Sequence, residues 1–250
     1  MRVFAGKQAI EVNVANAEAL DVEVCRRLAG GKGFALATLN LDHLVKLRES
    51  DLFRAAYAAQ DLVTADGNPI VWMSRLAGRP VDLLPGSDLI EPLARIAVRM
   101  GAPVGFVGST RESLDGAADA LSRRVPGLSI VARIAPPMGF DPDSAAADAI
   151  LDELRSRGVR LCFLALGAPR QEGLAARGRA RTPEIGFVSI GAGLDFLSGH
   201  QARAPRWVRR IAMEWLFRML SNPRRLTRRY VLSAMILPGH VLRALRQRRA

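Results

Sequence analysis

Residues able to do chemistry gather at five short breaks in an otherwise strongly patterned chain. They are Thr38-Leu39-Asn40, Asp66-Gly67-Asn68-Pro69, Gly108-Ser109-Thr110, Gly167-Ala168-Pro169-Arg170-Gln171-Glu172 and Gly191-Ala192-Gly193-Leu194-Asp195. Each follows a short apolar run that reads as a β-strand. Asp66 is placed to move a proton, because a carboxylate held at a strand end can act as a general base. Asp-Gly is equally a common turn dipeptide. The glycines suit a phosphate-bearing ligand: without a Cβ they let backbone N–H groups approach, and a following helix N-terminus favours an anion.

Other motifs are weaker. Gly105-Phe106-Val107-Gly108 is half of a dinucleotide-binding fingerprint, with no acid at the usual distance to hold a ribose, and it reads equally as a tight strand-to-helix turn. Asp141-Pro142-Asp143 has the D-x-D form of a metal-binding motif. The simpler reading makes Asp141 an N-cap, Pro142 the first helical residue and Asp143 a first-turn acid. Cys25 and Cys162 sit in apolar patterns and read as two buried thiols. His43, His200 and His240 lie far apart and form no metal motif.

The elements that must position these residues alternate. A hairpin or strand pair is predicted within Val3 to Val14, then a helix over Ala17 to Ala29, a strand over Phe34 to Thr38, helical segments from Leu41 to Ala59 and a strand over Leu62 to Ala65. Helices follow from about Pro69 and over Asp88 to Met100. Next come strand Pro103 to Val107, helix Arg111 to Arg124, strand Leu128 to Ile134 and helix Asp143 to Arg157. Strand Arg160 to Leu166, a helix near Arg170 to Arg179 and strand Ile185 to Ile190 complete the series. Strands separated by helices of this length predict an α/β fold: a Rossmann-like, mostly parallel sheet with helices on both faces. Ligands of such sheets bind beyond the carboxyl ends of the strands, where the five breaks lie.

With 49% hydrophobic residues over 250 positions, the chain can bury a substantial core, and disorder is excluded. The formal net charge of +12 is concentrated: residues 200–250 carry 13 arginines and one acid, whereas residues 1–199 balance 23 basic against 23 acidic residues. The chain therefore divides into an α/β catalytic domain (1–199) and a basic, amphipathic, helical C-terminal appendage (200–250). In the appendage Trp207, Val208, Ile211, Trp215, Leu216 and Met219 recur at helical spacing, Asn222-Pro223 breaks the pattern, and a second helical stretch follows. Such a segment requires an anionic partner. Arginine and tryptophan bordering an apolar face fit a helix lying in a membrane interface. A solvated face packed on the body is a second reading of the same segment, and a non-catalytic nucleic-acid-binding protein a third, although no recognition helix or aromatic–basic platform supports it. A nicotinamide-dependent oxidoreductase is a further rival that lacks the full glycine fingerprint. No apolar leader precedes the first strand and no run is long enough for a membrane span, which predicts a cytoplasmic protein, peripheral on the inner face of the membrane.

Taken in order, these motifs resemble the WecG/TagA/CpsF family of bacterial glycosyltransferases. The resemblance is carried most specifically by Gly191-Ala-Gly-Leu-Asp195-Phe-Leu-Ser-Gly199, Arg203-Ala-Pro205-Arg-Trp207, Glu214-Trp215-Leu-Phe-Arg218 and Pro223-Arg-Arg-Leu-Thr-Arg-Arg229-Tyr230. Thr38-Leu-Asn40, Asp66-Gly67, Gly86-Ser-Asp88-Leu and Gly167-Ala-Pro-Arg-Gln171-Glu172 support it. The resemblance implies an inverting transferase that moves a sugar such as N-acetylmannosamine from a UDP-sugar to an undecaprenyl-diphosphate-linked sugar, with no metal, no cofactor and no nucleic-acid partner. It implies Asp66 as catalytic base, Thr38, Asn40 and Gln171 lining the substrate site, and Arg218, Arg225 and Arg228 reaching the site from the appendage. Gly108, Gly167, Gly191, Gly193 and Asp195 fall on the nucleotide side, Asp195 either as a contact or as a brace for the glycine turn. The chain departs from the pattern at Leu83, where a basic residue is common, at Gly173-Leu174, where a basic–aromatic pair is common, and at Leu194, where an aromatic is usual.

Overall fold

The computed structural model describes the chain except residues 6–7, 203, 206, 209–211, 222 and 249–250, and except the side chains of Ala5, Gln8, Arg218, Ser221 and Arg225. Six strands form one parallel sheet in the order β4-β3-β8-β7-β5-β6. They are β3 (Phe34–Leu39), β4 (Leu62–Ala65), β5 (Val104–Gly108), β6 (Ile130–Ile134), β7 (Leu161–Ala165) and β8 (Gly186–Ser189). The runs Phe-Ala-Leu-Ala-Thr-Leu of β3 and Leu-Cys-Phe-Leu-Ala of β7 are almost uniformly buried. Near-continuous apolar strands of this kind belong in a sheet covered on both faces. A separate antiparallel hairpin pairs β1 (Arg2–Ala5) with β2 (Gln8–Glu11), Val3 opposite Ile10.

Adjacent strand residues enter different cores, as the two-residue strand period requires. Phe163 packs with Phe34, Phe106 and Val188 beneath α1 (Ala17–Ala29), α5 (Gly86–Arg99) and α6 (Arg111–Arg124). Its neighbours Cys162 and Leu164 pack with Val107 and Phe187 beneath α7 (Ala145–Ser156) and α8 (Arg170–Arg181). A third core joins the hairpin to α2 (Leu41–Glu49), α3 (Asp51–Ala58) and α4 (Asn68–Leu76). Beyond β8 come α9 (Gly193–Ser198), α10 (Glu214–Ser221) and the 25-residue α11 (Pro223–Gln247). The inner face of α11 enters the third core through Ile236, Leu237, Val241 and Ala244. The expected break falls on Asn222-Pro223, of which Asn222 lies outside the described residues; Pro223 stands in the first turn of α11, where a missing N–H costs nothing.

Two local expectations are corrected. Asp141 is not the N-cap of α7: its Oδ1 accepts the Asp143 amide at 3.0 Å in a tight turn, and the helix starts at Ala145 behind Ser144. An Asx turn closes there because the aspartate reaches the backbone two residues on sooner than a helix can form. Of the two cysteines only Cys162 is fully buried, whereas Cys25 is half-exposed and donates to Asp21.

Candidate functional site

The chain leaves β5 for α6 on one face of the sheet and leaves β7 for α8 on the other, so a crevice opens at their carboxyl ends. At the far edge, β3 and β4 pair in parallel with Leu39 opposite Ala65, which places Asn40 alongside Asp66. The Asp66 amide donates to Leu39 O at 2.8 Å, and its Oδ2 accepts from Asn40 Nδ2 at 3.3 Å and Thr38 Oγ1 at 3.4 Å. Asn40 is oriented by a second duty: its Oδ1 caps α2 by accepting the His43 amide at 3.0 Å, which turns the NH₂ towards the carboxylate. Gly67, at φ +114°, makes the turn from β4 into α4 that a Cβ would strain.

Behind these groups lies a dry layer. Tyr57 donates to Thr38 O at 3.1 Å, and its oxygen meets His43 Nδ1 at 2.7 Å. Burial holds the His43 imidazole down to about 3, so it is neutral at physiological pH and fixes position rather than carrying charge. Beyond the end of β7, Gln171 is 2% exposed and its amide is engaged at both ends: Nε2 donates to Glu172 Oε1 at 2.8 Å, and Oε1 accepts the Gly191 amide at 3.1 Å. Gln171 thus braces the β8–α9 turn, which Gly191 makes at φ +57°.

The glycines serve different ends. A Cβ on Gly108, at φ +124°, would lie 2.4 Å from the Ala165 carbonyl, so glycine there lets β5 approach the end of β7. A Cβ on Gly193 would strike Ile90 Cδ1 at 2.6 Å, and its amide already donates to Ile190 O at 3.2 Å. Gly193 therefore seats α9 against α5. Asp195 accepts from Ser113 Oγ at 2.7 Å, from Ser109 Oγ and, through Oδ2, from Gln201 at 3.4 Å. Those bonds stitch α9 to the β5–α6 turn. The departure at Gly173 has a local cause, since a Cβ there would meet Pro142 Cγ at 2.9 Å.

The family model described as glycosyl transferase WecG/TagA/CpsF family matches residues 8–250. The chain belongs to that family. It is also 27% identical over 220 residues, 88% of this chain and 81% of the relative, to a protein of Bacillus spizizenii named N-acetylglucosaminyldiphosphoundecaprenol N-acetyl-beta-D-mannosaminyltransferase.

In this WecG/TagA/CpsF glycosyltransferase the structure brings Thr38, Asn40 and Asp66 into one cluster and sets Gln171 behind the neighbouring turn. Gly167, at φ +70°, opens that turn before the cis Ala168–Pro169 peptide. Arg228 lies exposed on the first turns of α11, and the side chains of Arg218 and Arg225 lie outside the described residues. Among the described residues no group of three His, Cys, Asp or Glu could hold a metal, and no helix is long and apolar enough to cross a membrane.

Glu172 closes the Gly167–Glu172 motif, and nothing in its sequence spacing marks it as a buried acid. Its side chain is fully buried, Oε2 has no hydrogen-bond partner, and burial pushes the carboxyl up to about 7 despite the Gln171 hydrogen bond and the nearby Lys46. In an unfolded chain it would titrate near 4.5. Below that pH the proton is bound in both states, and stability is unaffected. As pH rises from 4.5 through 7 the unfolded chain releases the proton first, so the fold loses roughly 3 kcal/mol across this window. Glu172→Gln should flatten the stability–pH curve between pH 5 and 8 by about that amount. Denaturant unfolding of both proteins at pH 5, 6, 7 and 8 checks this, and an equal slope in the variant removes Glu172 as its source.

Proposed function

We propose that the protein is an inverting transferase that moves N-acetylmannosamine or a related hexose from a UDP-sugar to an undecaprenyl-diphosphate-linked sugar, in bacterial cell-surface polysaccharide synthesis. The observation that carries the reading is the Asp66 carboxylate, aimed by Thr38 and Asn40 at the carboxyl edge of the sheet in a chain of this family. The name of the Bacillus relative supports the donor sugar and the lipid acceptor.

Asp66 takes the proton of an acceptor hydroxyl as that oxygen attacks the anomeric carbon. The bond from that carbon to the UDP oxygen breaks on the opposite face, and the electron pair leaves with the diphosphate. One displacement inverts the centre. The Gly191 and Gly193 amides are engaged by Gln171 and Ile190, so stabilisation of the leaving diphosphate falls to the turns at Gly108 and Gly167 and to arginines of the appendage. The basic appendage with exposed Trp207 and Trp215 supports a place on the inner membrane face, where the acceptor resides.

A panel of UDP-sugars offered with lipid-diphosphate-linked N-acetylglucosamine, followed by UDP release, tests the reading. One sugar should stand out. No release with any sugar, together with salt-dependent binding to generic duplex DNA, would favour a nucleic-acid function. Activity should persist in EDTA. Asp141 Oδ1 is engaged by the Asp143 amide in a local turn, and the pair stands without a third acidic or histidine ligand among the described residues. Loss of activity in chelator, restored by manganese or magnesium, would reinstate that motif as a metal site.

A further inference from the structure

The geometry points to Asp42 as a positioning residue through which seating of the C-terminal helix sets the arrangement of Asn40 and Asp66, an inference that rests on Asp66 being the base. Asp42 lies in the first turn of α2, two residues after the Asn40 cap. Its side chain is only 13% exposed and faces two cations: Lys46 Nζ lies 2.9 Å from Oδ2, and Arg229 Nε of α11 lies 3.1 Å from Oδ1, an ion pair without hydrogen-bond geometry. Lys46 also donates to Ala168 O at 3.1 Å, in the turn that leads to Gln171. One carboxylate thus joins α11, the start of α2 and the β7–α8 turn.

The consequence follows from what α2 holds. The Asn40 amide that donates to Asp66 also caps this helix through its Oδ1, so a shift of the first turn disturbs both contacts. The Asp42 carboxylate draws Arg229 and Lys46 to a common point and holds α11 down on α2. With asparagine in its place, two half-buried cations face each other with no carboxylate between them. Repulsion then separates α11 from α2, and the first turn loses both its tether and an acid favourable to the helix dipole. None of this requires Asp42 to touch a substrate.

The test uses the full chain with Asp42→Asn, Arg229→Gln and the double variant. Hydrogen exchange should rise both at amides 223–237 and at amides 40–44 in each single variant. With the UDP-sugar and lipid acceptor, kcat should fall roughly 10- to 100-fold, as small misplacements of reacting groups do, while the donor KM changes little. The double variant should be no slower than the slower single one, because both changes break one unit. Arg229→Lys, which keeps a charge, should recover part of kcat. Exchange that rises in 223–237 but not in 40–44, or losses in kcat that multiply in the double variant, would overturn the coupling. Should the unaltered protein release no UDP from any donor, the functional reading fails, and the exchange pattern alone still decides whether Asp42 couples the two elements.

Discussion

Turnover of Asp66→Asn protein should be lower than that of the unaltered enzyme by roughly 10²–10⁴-fold, the usual scale for a lost general base. Asparagine keeps the size of the side chain and can still receive hydrogen bonds from Thr38 and Asn40, so the cluster should stay assembled. Only the capacity to accept the acceptor proton is removed. The loss should therefore sit in kcat, with UDP-sugar affinity preserved, because the carboxylate is assigned to the acceptor. Single-turnover UDP release and equilibrium UDP binding separate the two. A folded Asp66→Asn protein with near-normal turnover would remove Asp66 from the mechanism. Asn40→Ala is a useful companion. It deletes a helix cap, which costs about 1 kcal/mol of stability, together with one of the two donors aiming the carboxylate. Its kcat loss should be smaller than that of Asp66→Asn and should come with a lowered Tm.

Much of the frame was legible because local and global signals agree. The helix over Ala17–Ala29 follows an Asn16 cap and that over Arg111–Arg124 a Thr110 cap, and both match their expected limits residue for residue. The short helix Gly193–Ser198 escaped prediction: six residues hold too little periodicity to stand out behind a glycine turn. The chemistry-bearing types at the strand ends were equally legible, but their pairings were not. That Asn40 meets Asp66 depends on β3 lying beside β4 in register, which the alternation of elements leaves open. Gln171 lines the site in the family pattern, yet its amide is engaged at both ends by Glu172 and Gly191, and only tertiary packing decides that. Asp42 carried no motif at all. Its significance comes from Arg229, almost two hundred residues away, arriving on the same carboxylate as Lys46.

The second large effect concerns membrane binding. Helix α11 has two apolar faces. Ile236, Leu237 and Ala244 lie on the inner one, with Ser233 and His240 buried beside them, whereas Val231, Met235, Leu242 and Leu245 are exposed on the opposite side, at spacings that return to one face of a helix. Met235 is 72% exposed. An outward apolar stripe with Arg224, Arg228 and Arg246 along it, on a chain whose whole excess charge lies in residues 200–250, suits an anionic bilayer. A second copy of the helix would bring like charge against like. Each basic residue near such a surface contributes about 1 kcal/mol, so replacing Arg243, Arg246 and Arg248 with glutamine should weaken binding to vesicles containing anionic lipid by roughly 10²-fold at low salt. Replacing Met235 and Leu242 with glutamine should weaken it by a route that salt does not screen. At 1 M salt, where the Debye length falls to about 3 Å, the arginine variant and the unaltered protein should converge, and the Met235 and Leu242 variant should remain the weaker binder. Vesicle co-sedimentation across a salt series reads all three. Arg243 also donates to Phe4 O at 3.5 Å, so thermal unfolding of the arginine variant must show an intact fold before its vesicle binding is interpreted. Full-length protein that ignores anionic vesicles at low salt would end the membrane reading and turn attention to another polyanion.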